Sequence, residues 1–378
     1  MSLKNEPLII YGAGAAGRCI LRMLRKANAL PLAFLDSKQI DGQSSIDGVP
    51  LFHPDSREAS KFKTGFTLVL GIFNTAVNSR ELTASLHRRG FLQVVTFVQF
   101  IRKMEKEQGW DSDLGLQTYW LDKLSTLERL KREKLQLVSL FHDRESKSIV
   151  ENLLLYRETG DDTVYPEANL SDQYFPQDIV PLKTRMPFSL FLDCGAFSGD
   201  TLIQLTKSAS PSTILQLQEI ISFEPDSQNY LLLAKTTRRL ASAFGHISFR
   251  NFPCAVWSKT EIIDFQADGL GSSTVRHGGK VPVQAVSIDE SVLGMRSTMT
   301  EEKSYLKMDL EGSEIQALHG ASHFIRQNRP LLAISCYHTC DHLWEIPYLI
   351  SSWNLGYRFF LRQHGQNGMD TVFYGIPE

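Results

Sequence analysis

Leu8–Tyr11 is a short apolar run, and Gly14–Lys26 after it carries Ile20, Leu21 and Leu24 on one face at helical spacing. Leu32–Leu35 is a second apolar run, ending at Asp36, and Thr67–Ile72 is a third. Helical spacing returns over Ser79–Arg89, and Val94–Phe97 reads as another strand. Short strands alternating with helices predict a parallel sheet with helices on its faces.

That rhythm breaks at residues 109–186. Tyr119–Val138 is charged but has Leu121, Leu124, Leu127, Leu130, Leu135 and Leu137, the apolar stripe of a helix. Ser146–Arg157 reads as a second helix, and YPEANLSDQYFPQDIVPL as an ordered loop or boundary rich in turn formers. From Pro187 the alternation resumes. Leu190–Asp193, Ile220–Phe223, Ile247–Phe252, Tyr305–Asp309 and Leu331–Ser335 are predicted strands. Asp200–Ser208, Ser227–Ala243, Ile315–Phe324 and Pro347–Trp353 are predicted helices. The glycine turns and β-branched alternation of IIDFQADGLGSSTVRHGGKVPVQAV predict a hairpin insertion, and GYRFFLRQ and DTVFYGIP two closing strands. The pattern divides the chain into a sheet domain over 1–108, a helical linker or cap over 109–186 and a second sheet domain over 187–378.

Composition narrows the class. The chain has 378 residues, of which 42% are hydrophobic and 22% charged, an ordinary globular balance that argues against disorder. A formal net charge of -2 gives no basic excess for nucleic acid or a membrane surface. Cys19, Cys194, Cys254, Cys336 and Cys340 are few, odd in number and scattered, which favours a reducing cytoplasm over a disulfide framework. The opening residues reach an apolar strand without a signal-peptide core, and no apolar run approaches the roughly 20 residues that span a bilayer. A cytoplasmic protein with no nucleic-acid partner and no membrane insertion is expected.

YGAGAAGR places Gly12, Gly14 and Gly17 in a G-x-G-x-x-G directly after a strand and at the start of a helix. Such glycines allow a tight turn and close approach to an anion at the helix N-terminus, and Asp36 at the next strand end suits ribose hydroxyls. The first domain therefore reads as Rossmann-like, with Gly12, Gly14, Gly17 and Asp36 as candidate contacts to a nucleotide or NAD. Glycine turns of this kind also serve helix–strand packing alone. No catalytic set accompanies this one; Tyr119 and Lys123 form a YxxxK pair, but the leucine stripe accounts for Tyr119 as packing.

LFLDCGAFSGDTL differs. Its spacing is Asp193-x-Gly195-x-x-x-Gly199, with Asp200 and Thr201 opening a helix. An acid at the strand end is poorly placed for a diphosphate and suits an amine or a cation. S-adenosylmethionine carries an ammonium and a sulfonium and no phosphate. The next strand ends in ISFEPD, where Glu224 can accept from both ribose hydroxyls, and the small residues of NFPCAVWS can border an adenine. YLKMDLEGSEIQALHGA gathers Lys307, Asp309, Glu311 and Glu314 at a further strand end. Ser313 and Glu314 fit a helix cap, which leaves Asp309 unexplained. All these places lie at the carboxyl ends of parallel strands, where open α/β sheets bind ligands. In CYHTCDH, strand alternation would put Cys336, His338, Cys340 and His342 on one face. The stretch lacks the CxxC turns of structural zinc sites, so the cysteines read as buried small hydrophobes and no metal is expected. A divalent cation on Asp309 and Glu311 is the alternative.

FLDCGAFSGDT, ISFEPD, CAVWS, KMDLEGSEIQALHGA and RPLLAISCYH stand in the order and rough spacing of the FkbM-type methyltransferase family, which residues 187–378 resemble. The first domain resembles the Rossmann modules that lead enzymes of bacterial surface-polysaccharide synthesis, some of which bind nucleotides or nucleotide sugars. The resemblance implies an α/β chain of two Rossmann-like parallel-sheet domains joined by a helical segment. The second would have a class I methyltransferase-like fold with an antiparallel C-terminal strand. It implies S-adenosylmethionine as cofactor, held by Asp193, Gly195, Ala196, Gly199, Asp200, Thr201, Glu224, Pro225 and Ala255. Ser272 and Ser273 of GLGSST would lie near cofactor or acceptor, and Tyr174 of DQYFP would cover the cofactor as a lid. Two places depart from the family pattern: Phe197 stands where many members have Asn, and Ser335 where many have an acid.

Methyl transfer is an in-line displacement in which the protein aligns the acceptor oxygen and excludes water. A sugar hydroxyl is a weak acid and needs a neighbouring group to take its proton. Asp309, Glu311 and His338 are the candidates for catalysis; Asp309 could equally orient the methionine ammonium, as could Asp193. The expected function is O-methylation of a sugar or glycan precursor. An enzyme of polysaccharide biosynthesis that binds NAD or a nucleotide sugar and acts through the first domain, and a non-catalytic S-adenosylmethionine-binding protein, are the alternatives. The leucine-rich helix could pack within one chain or between copies in a homo-oligomer.

Overall fold

In the computed structural model, Leu8–Tyr11 forms β1, and all four residues are buried. Leu8 and Ile10 join one core with Ile20, Leu24 and Phe97, while Ile9 and Tyr11 join another with Leu68, Leu70 and Leu86. A strand buried on both faces has to read as an unbroken apolar run, and this one does. The structure describes residues 6–38, 44–109, 120–185, 187–266, 274–275, 281–293 and 303–378. The chain forms two compact units, Met1–Lys134 with Ile149–Ala168 and Gly365–Met369, and Leu135–Ser148 with Asn169–His364 and Asp370–Glu378.

The first unit adds α1 (Ala15–Lys26), β2 (Ala33–Leu35), β3 (Ser45–Ile46), β4 (Val49–Phe52), β5 (Thr67–Leu70), α2 (Ser79–Arg88), β6 (Gln93–Val95) and α3 (Phe97–Gln108). Its sheet runs β3-β4-β2-β1-β5-β6, parallel except for the β3–β4 pair. The predicted strand Val94–Phe97 is corrected at its end: Thr96 and Gln99 form a reciprocal capping box that starts α3 at Phe97. The helices α4 (Leu124–Leu140) and α5 (Arg144–Thr159) follow. The predicted helix from Tyr119 starts later, because Trp120 has φ 54° and its buried indole donates to the Asn367 carbonyl at 2.8 Å.

The second unit contains α6 (Val180–Arg185), β7 (Leu190–Cys194), α7 (Asp200–Ser208), α8 (Pro211–Gln216), β8 (Glu219–Phe223), α9 (Ser227–Ala243) and β9 (Ser248–Phe252). After β10 (Ala255–Val256), β11 (Glu261–Gln266), β12 (Thr274–Val275) and β13 (Val281–Val286) come β14 (Ser304–Met308), α10 (Glu314–His319), α11 (Ser322–Asn328) and β15 (Leu331–Ser335). The chain closes with α12 (His342–Ser352), β16 (Tyr357–Gln363) and β17 (Thr371–Pro377). The main sheet runs β16-β17-β15-β14-β7-β8-β9. Its strands from β15 to β9 are parallel, and β17 is antiparallel to both β15 and β16. The predicted insertion forms its own sheet, β10-β13-β11-β12.

Two helix expectations for this unit are corrected. Ile315–Phe324 is two helices, because Gly320 brings the chain against the Trp257 carbonyl, which a Cβ there would meet at 2.1 Å. The last helix begins at His342 rather than Pro347, which lies inside it. Cys336–His342 is not a strand: β15 ends at Ser335 and His342 already opens α12, so the four alternating residues share no strand face.

Candidate active site

Parallel neighbours β8, β7, β14 and β15 end side by side, and the polar residues of the second unit collect just past those ends. Asp193 and Lys307 are direct register partners in β7 and β14. Both are buried, and the Lys307 ammonium lies 3.0 Å from Asp193 Oδ1. Lys307 also donates to the Gly195 carbonyl at 2.6 Å. Burial raises the Asp193 pKa to about 6 although Lys307 opposes it. For Lys307, burial works against the charge, but Asp193 and Asp309 outweigh it and hold the ammonium protonated.

The loop after β7 is fixed by close approaches. Gly195 has φ 81°, and a Cβ there would lie 1.9 Å from the Asp309 carbonyl oxygen. Gly195 and Ala196 both donate from the backbone to the Phe223 carbonyl, at 3.0 and 2.9 Å. Phe197 has φ 46°, a conformation that Asn adopts more readily, and its N–H reaches Glu224 Oε2 at 2.8 Å. Glu224 Oε1 accepts from the Asp226 N–H at 2.9 Å, and burial raises this carboxyl above its ordinary range. Gly199, φ 81°, precedes α7; Asp200 is exposed, and Thr201 is buried behind it. Pro225 follows Glu224 half-buried, and Ala255 is buried in β10 of the smaller sheet.

Asp309 is where the two halves of the site meet. Tyr174, 4% exposed, donates its hydroxyl to Asp309 Oδ2 at 2.8 Å and lies 3.4 Å from the Ser335 hydroxyl. Lys307 stands 5.2 Å from the centre of the Tyr174 ring, and Tyr305 donates to the Tyr174 carbonyl. Burial, and then Asp309, keeps the Tyr174 phenol un-ionised. On the other side, His338 Nε2 lies 3.3 Å from Asp309 Oδ1 and 3.6 Å from Glu311 Oε1. Its Nδ1 makes a 2.7 Å bond with Glu314 Oε1.

Glu314 is fully buried and also accepts from the Leu310 N–H at 2.8 Å, with His342 Nδ1 3.1 Å from its second oxygen. Burial alone would raise Glu314, but His338 and His342 hold it far below the ordinary range. Burial alone would lower His338, but Glu314 and Glu311 hold it well above its ordinary value. These two acids favour the charged imidazole.

The structure thus brings Asp193, Gly195, Glu224, Asp309, Glu311, His338 and Tyr174 to adjoining strand ends. Ser272 and Ser273 lie outside the described residues, as does Tyr119. Sequence reasoning left out Tyr337 and Asp370. Asp370, with φ 55°, hydrogen-bonds Tyr337, and burial together with Asp309 raises it to about 6. Lys307 had a readable signal, a charge inside the buried strand SYLKM. Asp370 had none, since it sits in a turn far along the chain.

The first loop has other surroundings. Gly12 has φ 105°, and a Cβ on Gly17 would lie 2.0 Å from the Gly12 carbonyl oxygen. Asp36 accepts from the Ala13 N–H and the Lys38 N–H, both at 2.8 Å. Gly14 precedes α1 with φ -75°, and a Cβ there would meet nothing within 4 Å.

Residues 193–359 match the family described as methyltransferase FkbM domain. The chain is similar in fold to a methyltransferase FkbM from Methylobacillus flagellatus KT, solved as a crystal structure, with TM-score 0.75 and 20% identity over 98% of this chain and 89% of that one. No curated protein matches the chain. The matched residues lie within the second unit, where the sequence resemblance placed the likeness to this family. Among the described residues, no helix is long and apolar enough to cross a membrane.

Proposed function

We propose that the chain is an S-adenosylmethionine-dependent O-methyltransferase of the cytoplasm, acting on a hydroxyl of a sugar or glycan precursor. One observation carries the reading: the acids Asp193, Glu224 and Asp309 stand at the ends of three adjacent parallel strands inside the matched domain. The donor set fits the cofactor. Asp193 Oδ2 is buried with no hydrogen-bond partner, a place for a cationic group, and Glu224 is an acceptor-only group suited to a pair of hydroxyls. Bound S-adenosylmethionine supplies the activated methyl group.

The remaining work falls to the chain. Glu224 and the backbone around Gly195 hold the nucleoside end, and Asp193 faces the amino-acid end. Asp309 takes the proton of the acceptor hydroxyl as the new bond forms. Glu314 and Glu311 favour the charged form of His338, so it contributes a positive field beside Asp309 rather than a second base. Tyr174 orients Asp309 through its hydroxyl and shields it from water.

Calorimetric titration of the full chain with S-adenosylmethionine and its demethylated product tests the reading. Saturable binding that Glu224→Ala weakens about 100-fold is expected, the loss of two charge-assisted hydrogen bonds at roughly 1.5 kcal/mol each. No binding by the unaltered chain, or an affinity indifferent to Glu224, would sink it.

A further inference from the structure

The two ring nitrogens of His338 are held differently. Its Nδ1 has the short, direct bond to Glu314, whereas Nε2 is buried and makes no hydrogen bond. Asp309 Oδ1, 3.3 Å away, is also buried and without a hydrogen bond. A charged pair free to bond directly closes to about 2.7–2.9 Å in line. These two atoms instead stand apart, with Glu311 Oε1 3.6 Å from the same nitrogen.

That spacing has a chemical meaning. Two ligands held about 2.1 Å from a tetrahedral ion lie about 3.4 Å apart, and the two separations at Nε2 bracket this value. The rest of the arrangement agrees. Binding would release the Nε2 proton of His338; a metal-binding imidazole nearly always donates its other N–H to a carboxylate, which fixes ring and tautomer, and Glu314 occupies that position. Tyr174 holds the far oxygen of Asp309, so this ligand is oriented too. Asp309, Glu314 and His338 have ligand atoms that all lie within 4.8 Å of one another, and Glu311 joins them through His338 Nε2 at 3.6 Å.

We propose that Asp309, Glu311 and His338 form a binding site for one transition-metal dication, with Glu314 as the carboxylate that fixes the histidine. This departs from the expectation of no metal. The imidazole donor and the small ligand number favour zinc, iron or a similar ion over calcium and magnesium, and Mn2+, which two carboxylates also suit, is the probe. Three protein ligands leave coordination positions open for water or an acceptor. On the methyl-transfer reading, the ion would bind the acceptor hydroxyl and lower its pKa; with the ion in place the proton would leave to water at an open coordination position, in place of Asp309. The role rests on that reading; the site does not.

The test uses the full chain stripped with a chelator and titrated with Mn2+ alone, followed by the paramagnetic resonance of free Mn2+, with Mg2+ as a parallel titrant. One equivalent of Mn2+ is expected to bind, displaced by Zn2+ and not by equal Mg2+. Glu314→Gln should weaken it about 10–100-fold, and His338→Ala further. The half-exposed Glu311→Gln covers the case in which His338→Ala does not fold. His323→Ala, which removes an exposed histidine 3.0 Å from Asp289, should change nothing. Absence of Mn2+ binding, or binding indifferent to both Glu311 and His338, overturns the proposal. S-adenosylmethionine binding by the stripped protein is measured alongside. Its presence without Mn2+ binding removes the metal site alone; Mn2+ binding without it removes the methyl-transfer reading alone.

Discussion

In both glycine loops an acid from the next strand end takes a backbone N–H of the loop: Asp36 from Ala13 and Glu224 from Phe197, each at 2.8 Å. In both, one glycine is required by a carbonyl oxygen that a side chain would strike. For Gly17 that oxygen belongs to Gly12 of its own loop, and for Gly195 it belongs to Asp309 of another strand. Two residues before the first glycine of each loop, the sheets differ again. Ile10 pairs with Val69 in the first unit, and Asp193 pairs with Lys307 in the second. The shared turn supplies a binding geometry. The chemistry comes from charges that the second sheet buries beside it, and from a glycine contact that draws Asp309 against the loop.

The largest expected effect is common to both loops. Gly17→Ala and Gly195→Ala should each cost more than about 4 kcal/mol, or abolish folding, because backbone has to move. Denaturant unfolding checks this. If Gly17→Ala were tolerated, the first loop would not be held by its own packing and the parallel between the loops would fail.

Activity should then separate them. Asp309→Asn is expected to lower methyl transfer about 1000-fold, whether Asp309 takes a proton or holds an ion. Asp36→Asn should leave turnover as it is. A comparable loss from both would place the chemistry in the two units together.

A smaller effect is a pH slope in stability. Asp193 has a folded pKa of about 6, above the ordinary unfolded value of about 3.9. The fold therefore binds this proton more tightly than the unfolded chain does. Its contribution is full below about pH 4 and is lost as pH rises through about 6, roughly 3 kcal/mol in all. Asp193→Asn should flatten that fall in urea unfolding at several pH values; an unchanged slope would mean the carboxyl is not buried as described. The first loop has Ile10 in this place and carries no such slope.

These contrasts also show what the sequence could and could not disclose. Strands such as LIIY and LLAIS were legible because burial on both faces leaves only apolar residues. Asp193, Glu224 and Asp309 were legible because each ends such a run. Asp370 was hidden, since its neighbours are set by the return of β17 beside β15, a pairing across distant sequence. Pro347 misled because proline favours helix starts, whereas here it lies within α12. Glu314 was legible as an acid at a helix start; that it joins two histidines depends on the turn after β15, which has no periodicity.

Phe197 tests the one departure inside the second loop. An aromatic residue at φ 46° carries about 1 kcal/mol of backbone strain that Asn largely avoids. Phe197→Asn should raise stability by about that amount and keep the bond from its N–H to Glu224. A loss of stability would mean that the ring has a packing role that outweighs the strain.

The smallest expected change is the most telling for the first loop. Gly12 and Gly17 are accounted for by the turn itself, but Gly14 is not: its φ of -75° suits any residue, and a Cβ there meets nothing within 4 Å. Gly14→Ala should therefore stabilise the fold by about 0.5 kcal/mol, through the unfolded chain alone. A small gain of this kind leaves glycine at this place without a structural reason, and close approach of a ligand is the reason that glycine in this position supplies elsewhere. Thermal unfolding with NAD and with nucleotide sugars completes the comparison. A ligand that raises the melting temperature of the unaltered chain and not of Gly14→Ala would make the first loop a second binding site. The same small gain with no ligand response would leave it a packing device, and the contrast between the loops would be complete.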